Sequence, residues 1–291
     1  MRFYKDPESL GWAGNVYIKP KEEVVLLVRN LKQEAQIARE LEKRGIEKEK
    51  QTPKDRWHMK QELYRHGLLV PKPSKYELPG GKIPWWAGNT GLQEQFQNLN
   101  PSVDAMFRKR TRLSDIANKE QLVFLQSVGL KVLANENLLL AAADQTADDE
   151  FAQETGLLAG HKELIFRANV KDFQHPDESY PRFWYLIRSE QNGGMLRTEP
   201  DKDTVSAPAW VPLMRLYREY DRGRNNEQFV IHPAHIPGIY KAMSVLIDEG
   251  HQNLEATQTH LYEEFSSSIK NTDEVCEQTW DEFTQGVAPL R

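Results

Sequence analysis

Short apolar runs bounded by polar or turn-forming residues mark the strands that the sequence predicts. Residues 15–29 contain two strand-like pieces, the second of them at 24–28. The later runs at 163–170, 182–188 and 209–213 are rich in branched or aromatic residues, which is typical of buried strands. Helical patterns lie between and after these runs. This order of elements predicts an α/β fold.

Three helices are predicted from composition, spacing and stop signals. The segment 31–45 mixes Glu with Lys and Arg, and Gly45 is a plausible stop. Residues 137–155 form a long helical pattern that ends at Gly156, because a glycine after a helix can take the left-handed conformation. A third helix has one apolar face, formed by residues three, four, three and one apart: Ile236, Ile239, Met243, Leu246 and Ile247.

The remaining segments are less regular. A capping-box-like start at Asn118 predicts a helix to about Val132. Two more helical stretches are predicted at 252–270 and 273–285. The stretch 47–56 is too polar to bury, so we expect a loop or a solvated helix end there.

Composition limits the classes of function. The chain has 291 residues, and 38 basic against 43 acidic residues give a net charge of −5, which argues against a general nucleic-acid binder. The single cysteine, Cys276, excludes an intramolecular disulfide and lacks a neighbouring activating group. No apolar run approaches the about 18 residues that span a bilayer, and the N-terminus lacks a signal-peptide core. We therefore expect a cytoplasmic protein without a membrane partner.

A pair of glutamates carries the clearest chemistry. Glu150 and Glu154 are four residues apart on a predicted helix, so both carboxylates project from one face, and Asp149 and Gln153 form a neighbouring row. Carboxylate oxygens are suitable ligands for Mg²⁺ or Mn²⁺. Such a cation lowers the pKa of a bound water and so makes a nucleophile at neutral pH. The alternative is a solvated acidic helix face, which most glutamate pairs form.

The sequence Pro79-Gly80-Gly81 predicts a sharp turn with exposed backbone. Because Gly80 and Gly81 have no side chains, their N–H groups and the carboxylate-bearing helix could approach closely. Arg29 and Lys82 are then candidates, together with the two glycines, for binding substrate phosphates. The alternative is an ordinary loop turn.

The segment 149–157, DEFAQETGL, is similar to the last nine positions of the signature of the Nudix hydrolases, with two substitutions. The blocks at 78–82, 183–188 and 209–213 follow the order of elements in that family. The resemblance implies an α/β/α sandwich around a mixed β-sheet. It also implies hydrolysis of a diphosphate linkage in a nucleoside-diphosphate-like small molecule.

The resemblance also implies roles for single residues. Glu150, Gln153 and Glu154 would bind Mg²⁺ or Mn²⁺, and Glu150 and Glu154 would serve catalysis. A further acid is expected from the loop before the strand that contains Trp210. The loop offers Glu199, Asp201 and Asp203, of which Asp203 lies nearest to the family's spacing.

The domain organisation follows from the same resemblance. Residues 1–220 would form a Nudix-like domain with helical insertions at about 31–66 and 84–135. Residues 221–291 would form a C-terminal helical extension, which packs on this domain or mediates a homo-oligomer.

Three positions depart from the family's signature. Asp149 stands where the family has Arg, Gln153 where it usually has Glu, and Ala141 where it has its early Glu. A long insertion also separates Gly81 from the helix. A second hypothesis is therefore a Nudix-fold ligand-binding or regulatory module with weakened catalysis. A third is a protein-partner scaffold built on the C-terminal helices.

Three other features have competing interpretations. Trp85 and Trp86 could stack a base, although burial beneath the inserted segment is the simpler interpretation. The basic run 108–112 could hold phosphate or RNA, or could be a solvated face. His232 and His235 have a spacing that suits zinc, but no cysteine or carboxylate set completes four ligands.

Overall fold

The protein is described by a computed structural model. The described residues are 2–3, 10–30, 32–66, 76–84, 132–171, 178–191, 195–196, 206–217 and 229–276. The helices are α1 (Lys32–Lys43), α2 (Pro53–Arg65), α3 (Glu136–Thr155), α4 (Ile236–Asp248) and α5 (Glu255–Cys276). The strands are β1 (Arg2–Phe3), β2 (Gly11–Val16), β3 (Ile18–Lys19), β4 (Val24–Asn30), β5 (Tyr76–Glu77), β6 (Gly80–Ile83), β7 (Ala159–Lys171), β8 (Glu178–Glu190), β9 (Ser206–Pro212), β10 (Leu216–Tyr217) and β11 (Phe229–Val230).

The larger sheet is mixed. Strand β8 lies in its middle, pairs antiparallel with β7 on one edge, and pairs parallel with both β1 and β2 on the other. Strand β6 then pairs antiparallel with β2. In a second sheet, β4 pairs antiparallel with β9 along one edge and with β3 and β5 along the other. A short parallel pair, β10 and β11, completes the strands of the described residues. The predicted α/β class with a mixed sheet is confirmed.

Neighbouring residues of β4 and β8 belong to different cores. Val25 and Leu186 join a cluster with helices α4 and α5, whereas Leu26 and Ile187 pack with Phe151 of α3. Because side chains alternate along a strand, these neighbours point to opposite faces. Helix α3 therefore covers one face of these strands, and α4 and α5 cover the other.

Helices α1 and α2 form a hairpin with a small core of its own. Ile37 and Leu41 of α1 pack there against Met59 and Leu63 of α2. Arg44 also forms an ion pair with Glu62 across the hairpin. This hairpin lies in the segment 31–66 for which helices were predicted, and the exposed first turn of α2 at Pro53 agrees with the loop or solvated helix end predicted at 47–56.

The helix predictions have mixed outcomes. The predicted helix 137–155 is confirmed, and Gly156 ends it with a φ of 81°. The predicted break between 252–270 and 273–285 is wrong, because α5 continues through it to Cys276. Its buried residues Leu261, Phe265 and Ile269 keep a four-residue spacing along the helix.

Several predictions fall outside the described residues. They concern most of the predicted helix from Asn118 to Val132, the pair Trp85–Trp86, and the basic run 108–112. Among the helices that the structure describes, none combines the length and the apolar character that a bilayer span requires.

Candidate functional site

The two glycines that were predicted to form a turn lie in strand β6. Gly80 and Gly81 pair with Gly14 and Ala13 of β2, so the prediction of a sharp turn at these residues is wrong. Their close approach to helix α3 is confirmed: the N–H of Gly80 donates to Oε2 of Glu154 at 2.9 Å, across 74 positions of sequence. Glu154 is only 9% exposed. The hydrogen bond therefore holds a largely buried carboxylate beside the strand.

Glu150 lies against the second glycine. A Cβ atom built on Gly81 would lie 2.5 Å from Cδ and 2.8 Å from Cγ of Glu150, closer than side-chain atoms normally approach. Only a glycine leaves room for the carboxylate in this position. The structure thus brings Gly80, Gly81, Glu150 and Glu154 together although β6 and α3 are far apart in sequence.

The packing of α3 explains why its carboxylates reach this strand. Phe151, which lies between the two glutamates, is fully buried against Leu26 and Ile187. One turn earlier, Nδ2 of the buried Asn15 donates to the carbonyl of Ala147 at 2.7 Å. These contacts fix both the rotation and the height of the helix over β2 and β6.

The acidic row on the other side of α3 has a different environment. Lys162 of β7 forms ion pairs with Asp148 at 2.6 Å and with Asp144 at 3.2 Å. Burial raises the pKa of Asp149, and the nearby Asp148 carboxylate raises it further. Gln153 is half-buried on the same helix. The carboxylates of Asp144 and Asp148, which pair with Lys162, therefore lie apart from the two glutamates that face the glycines.

The other candidate residues lie elsewhere. Arg29 is exposed near the end of β4 in the second sheet, where its backbone is in register with Tyr76 and Ala207. Lys82 is exposed on β6. Because strand side chains alternate, Lys82 projects from the face opposite to that of Gly81 and Glu150. Asp203 lies outside the described residues.

The donor set of the glutamate pair fits a hard divalent cation. Two carboxylates from successive turns face the two glycines of β6, and Mg²⁺ is commonly bound by one or two carboxylates plus substrate phosphates and water. In the described part of the chain, no group of three or more His, Cys, Asp or Glu residues is arranged to hold a metal. A cation at Glu150 and Glu154 would therefore take its remaining ligands from substrate, from water or from outside that part.

A second polar group, on the opposite face of β2 and β8, escaped the sequence interpretation. It contains Arg182, which is 9% exposed, and His235, which is 6% exposed, and both lie against the ring of Trp12. Burial holds the pKa of His235 well below its usual value, and Arg182 and His232 lower it further. Two signals were available in the sequence: the pair His232 and His235, whose spacing suits zinc, and an arginine at the start of the otherwise apolar run RFWYLI.

Comparison with known proteins does not assign the chain to a family. No protein-family model matches this chain, and no curated protein matches it significantly. The functional argument therefore rests on the geometry of the two glutamates and the glycine strand.

Proposed function

We propose that the chain is a Nudix-type hydrolase that cleaves a diphosphate linkage in a nucleoside-diphosphate-like small molecule with the help of Mg²⁺ or Mn²⁺. The observation that carries the proposal is the contact of Gly80 and Gly81 with Glu154 and Glu150. The Nudix resemblance required a glycine segment and a carboxylate-bearing helix to meet. They meet although they are far apart in sequence.

The arrangement of layers gives further support. Helix α3 on one face of the strands, with α4 and α5 on the other, is the order of layers that an α/β/α sandwich requires. We propose that this arrangement is Nudix-like, with the α1–α2 hairpin as one of its insertions.

Each residue of the site has a proposed role. Glu150 and Glu154 would hold the cation, and the amide of Gln153 could add a neutral oxygen. The cation would offset charge on the phosphoryl oxygens and acidify a bound water. The N–H of Gly80 orients Glu154 by holding one of its oxygens in place. We assign proton abstraction to the acid predicted in the loop before Trp210, Asp203.

Phosphate binding is assigned to two basic side chains that the sequence analysis named as candidates. Arg29 would act from the second sheet, and Lys82 from strand β6. Lys82 leaves its strand on the face away from Glu150, so it would have to reach the phosphates around the edge of the sheet, where β6 lies.

The direct test is metal-dependent turnover. Purified protein is incubated with Mg²⁺ or Mn²⁺ and a panel of dinucleotides, ADP-ribose and nucleoside triphosphates, and released phosphate products are measured. We expect Glu150→Gln and Glu154→Gln to lose activity by about a hundredfold. The matched control is Asp144→Asn on the same helix, whose carboxylate pairs with Lys162 and should leave turnover within about twofold of wild type. Equal turnover in all three variants would refute the assignment.

A second candidate function is a ligand-binding or regulatory module on the same fold. It is favoured by the neutral Gln153 beside the pair and by the two-carboxylate set, which gives a cation a weaker field than a larger cluster. This function predicts no turnover with either metal, together with ligand binding that a chelator leaves unchanged. Calorimetric titration of the same compounds, with and without chelator, separates it from the hydrolase.

Self-association through the C-terminal helices is a further proposal. Helices α4 and α5 share the main core with β4 and β8, so deleting residues 221–291 would remove part of that core and is a poor test. Light scattering on the full chain measures its mass directly. A monomer at all concentrations would exclude the homo-oligomer.

A further inference from the structure

A buried cation lies beneath the strands, on the face away from helix α3. Arg182 of β8 is in register with Trp12 of β2, and its guanidinium lies 5.4 Å from the centre of that indole ring. It donates to the carbonyl of Ala234 at 3.1 Å and to the hydroxyl of Tyr180. These partners are neutral. No acidic side chain of the described residues forms an ion pair with Arg182.

An unpaired buried charge is costly. Native proteins normally pair buried charges, because desolvation of a guanidinium in a low-dielectric interior is repaid only by a nearby counter-charge. Aromatic faces and neutral acceptors compensate only part of that cost. The charge of Arg182 thus calls for an anion that the described side chains do not provide.

Three polar atoms in this region are buried and have no hydrogen-bond partner within the described part of the chain. They are Nε of Arg182, Nε1 of Trp184 and Nδ1 of His235. The ring centres of Trp12 and Trp184 are 6.0 Å apart, and those of Trp12 and His235 are 5.2 Å apart. The side chains of Arg182, Trp184 and His235 therefore all lie near the ring of Trp12. Two of the atoms are obligatory donors, and a neutral imidazole can also present an N–H at Nδ1. Together they would suit a ligand that only accepts hydrogen bonds.

The start of helix α4 adds to the positive field. The helix begins at Ile236 directly after the 3₁₀ segment Pro233–His235, and its first turn contains no acidic residue. The N–H of Ile236 already donates to the carbonyl of Pro233, and Pro237 has no N–H, so the contribution of this end comes from the helix dipole rather than from free N–H groups. The indole of Trp184 lies against this turn: a Cβ atom built on Gly238 would be 2.6 Å from its Nε1. A helix N-terminus carries a partial positive charge that favours an anion. The helix and Arg182 therefore act in the same direction.

We propose that Arg182, Trp184, His235 and the start of α4 form a buried binding site for an oxyanion, namely a carboxylate or a phosphate group. Water could satisfy the three polar atoms, but it could not neutralise the guanidinium. An oxyanion does both, because its oxygens accept several charge-assisted hydrogen bonds. The site lies on the face opposite to Glu150, and it does not depend on the proposed hydrolysis.

The test is a titration that observes the site directly. In ¹⁵N-labelled full-length protein, the indole N–H signal of Trp184 is identified by its loss in Trp184→Phe. Sodium phosphate and sodium acetate are then added separately, with sodium chloride at equal ionic strength as the control. We expect a saturable shift of this signal with an oxyanion and none with chloride. Saturation by phosphate alone, by acetate alone or by both identifies the group that the site takes.

Charge variants complete the test. Arg182→Gln should weaken oxyanion binding about tenfold or more, because charge-assisted hydrogen bonds are lost. Arg188→Gln is the matched control, since Arg188 lies on the same strand but is paired with Glu163 and Glu249. It should bind within about twofold of wild type.

Two results would overturn the site: no saturable shift in the wild type with either oxyanion, or an equal affinity in Arg182→Gln. If Arg182→Gln fails to fold, Arg182→Lys preserves the charge, and the wild-type titration still decides. Glu154→Gln keeps Arg182, Trp184 and His235, so it should still show a saturable oxyanion shift even without turnover, and failure of the hydrolase proposal and failure of this site are distinguishable.

Discussion

The neighbouring glycines of β6 respond differently to the same added methyl group. In Gly81→Ala, the new Cβ meets the end of a side chain, because the nearest groups belong to the carboxylate of Glu150. In Gly80→Ala, it meets backbone, at 2.5 Å from the carbonyl oxygen of Ala13 and 2.6 Å from Cα of Gly14. Neither glycine has a left-handed φ, so these clashes determine the outcome.

The distances determine the magnitudes. In Gly81→Ala, the carboxylate can swing away from the new methyl group by changing its torsions, which costs about 1 kcal/mol when the side chain leaves its preferred rotamer. The paired backbones of β2 and β6 cannot separate without breaking the strand ladder. We therefore expect Gly80→Ala to lower the free energy of unfolding by about 3 kcal/mol, the upper range for overpacking. Gly81→Ala should lower it by only about 1 kcal/mol.

Cation binding should be affected in Gly81→Ala, the variant whose stability changes less. Displacement of Glu150 in Gly81→Ala removes one of the two proposed cation ligands while the fold remains intact. We expect Mn²⁺ binding, followed by electron paramagnetic resonance of the free ion, to weaken about tenfold. Urea unfolding followed by circular dichroism gives the stabilities of both variants. Gly45→Ala in the α1–α2 hairpin controls for the added methyl group, because no atom lies within 4 Å of its Cβ position, although its φ of 82° adds strain.

Two outcomes would refute this reasoning. If Gly81→Ala binds Mn²⁺ as tightly as the wild type and is as stable, Glu150 does not occupy the position described. Unchanged binding together with a loss of about 3 kcal/mol or more, the cost expected for a rigid clash, would show that the carboxylate is fixed and has no role in binding a cation.

Three further predictions concern stability. Because the pKa of His235 is depressed in the folded state, only the unfolded state gains a proton at this residue as the pH falls below about 6.5. This difference should lower the free energy of unfolding by about 1.4 kcal/mol per pH unit. In urea unfolding between about pH 5 and 7, this slope should be absent from His235→Gln. Asn15→Ala removes the buried bond to Ala147 and should cost about 1–3 kcal/mol, so a loss near zero in the same assay would contradict the bond. Arg188 pairs with Glu249 in a half-exposed position. A double-mutant cycle of unfolding free energies should therefore give a coupling energy of only about 0.5–1 kcal/mol, which decreases in high salt. A coupling energy above about 2 kcal/mol would contradict this expectation.

Local signals in the sequence were sufficient for most elements. Gly156 marks the end of α3 because a left-handed terminal residue needs no long-range contact to be favourable. The spacing of Ile236, Ile239 and Met243 likewise predicted the buried face of α4. The sequence does not decide between a loop and a solvated helix end at the start of α2, because its first turn is polar, and Met59 and Leu63 supply its buried contacts to α1.

The glutamate pair was predictable from local sequence, whereas the approach of the glycines to it was expected only from the family resemblance. Glu150 and Glu154 lie on one face by helix geometry alone. The strand position of Gly80 depends on pairing with β2, which no local pattern reveals. The Arg182 group is harder still, since Trp12, Arg182 and His235 come from three distant segments. An arginine in an apolar run gives no indication of whether an acid will face it in the fold.

Gly80 has a further consequence, because it is in contact with both groups. Its N–H holds Glu154 on one side of β6, while a Cβ atom on its other side would lie 2.7 Å from the ring of Trp12. Glu154 and the ring of Trp12 are thus separated here by the backbone of a single residue, Gly80. An oxyanion that moves Trp12 would shift the donor that orients Glu154, so the two ligands would be thermodynamically linked. Any such linkage is reciprocal: a cation at the glutamates would change oxyanion affinity by the same factor.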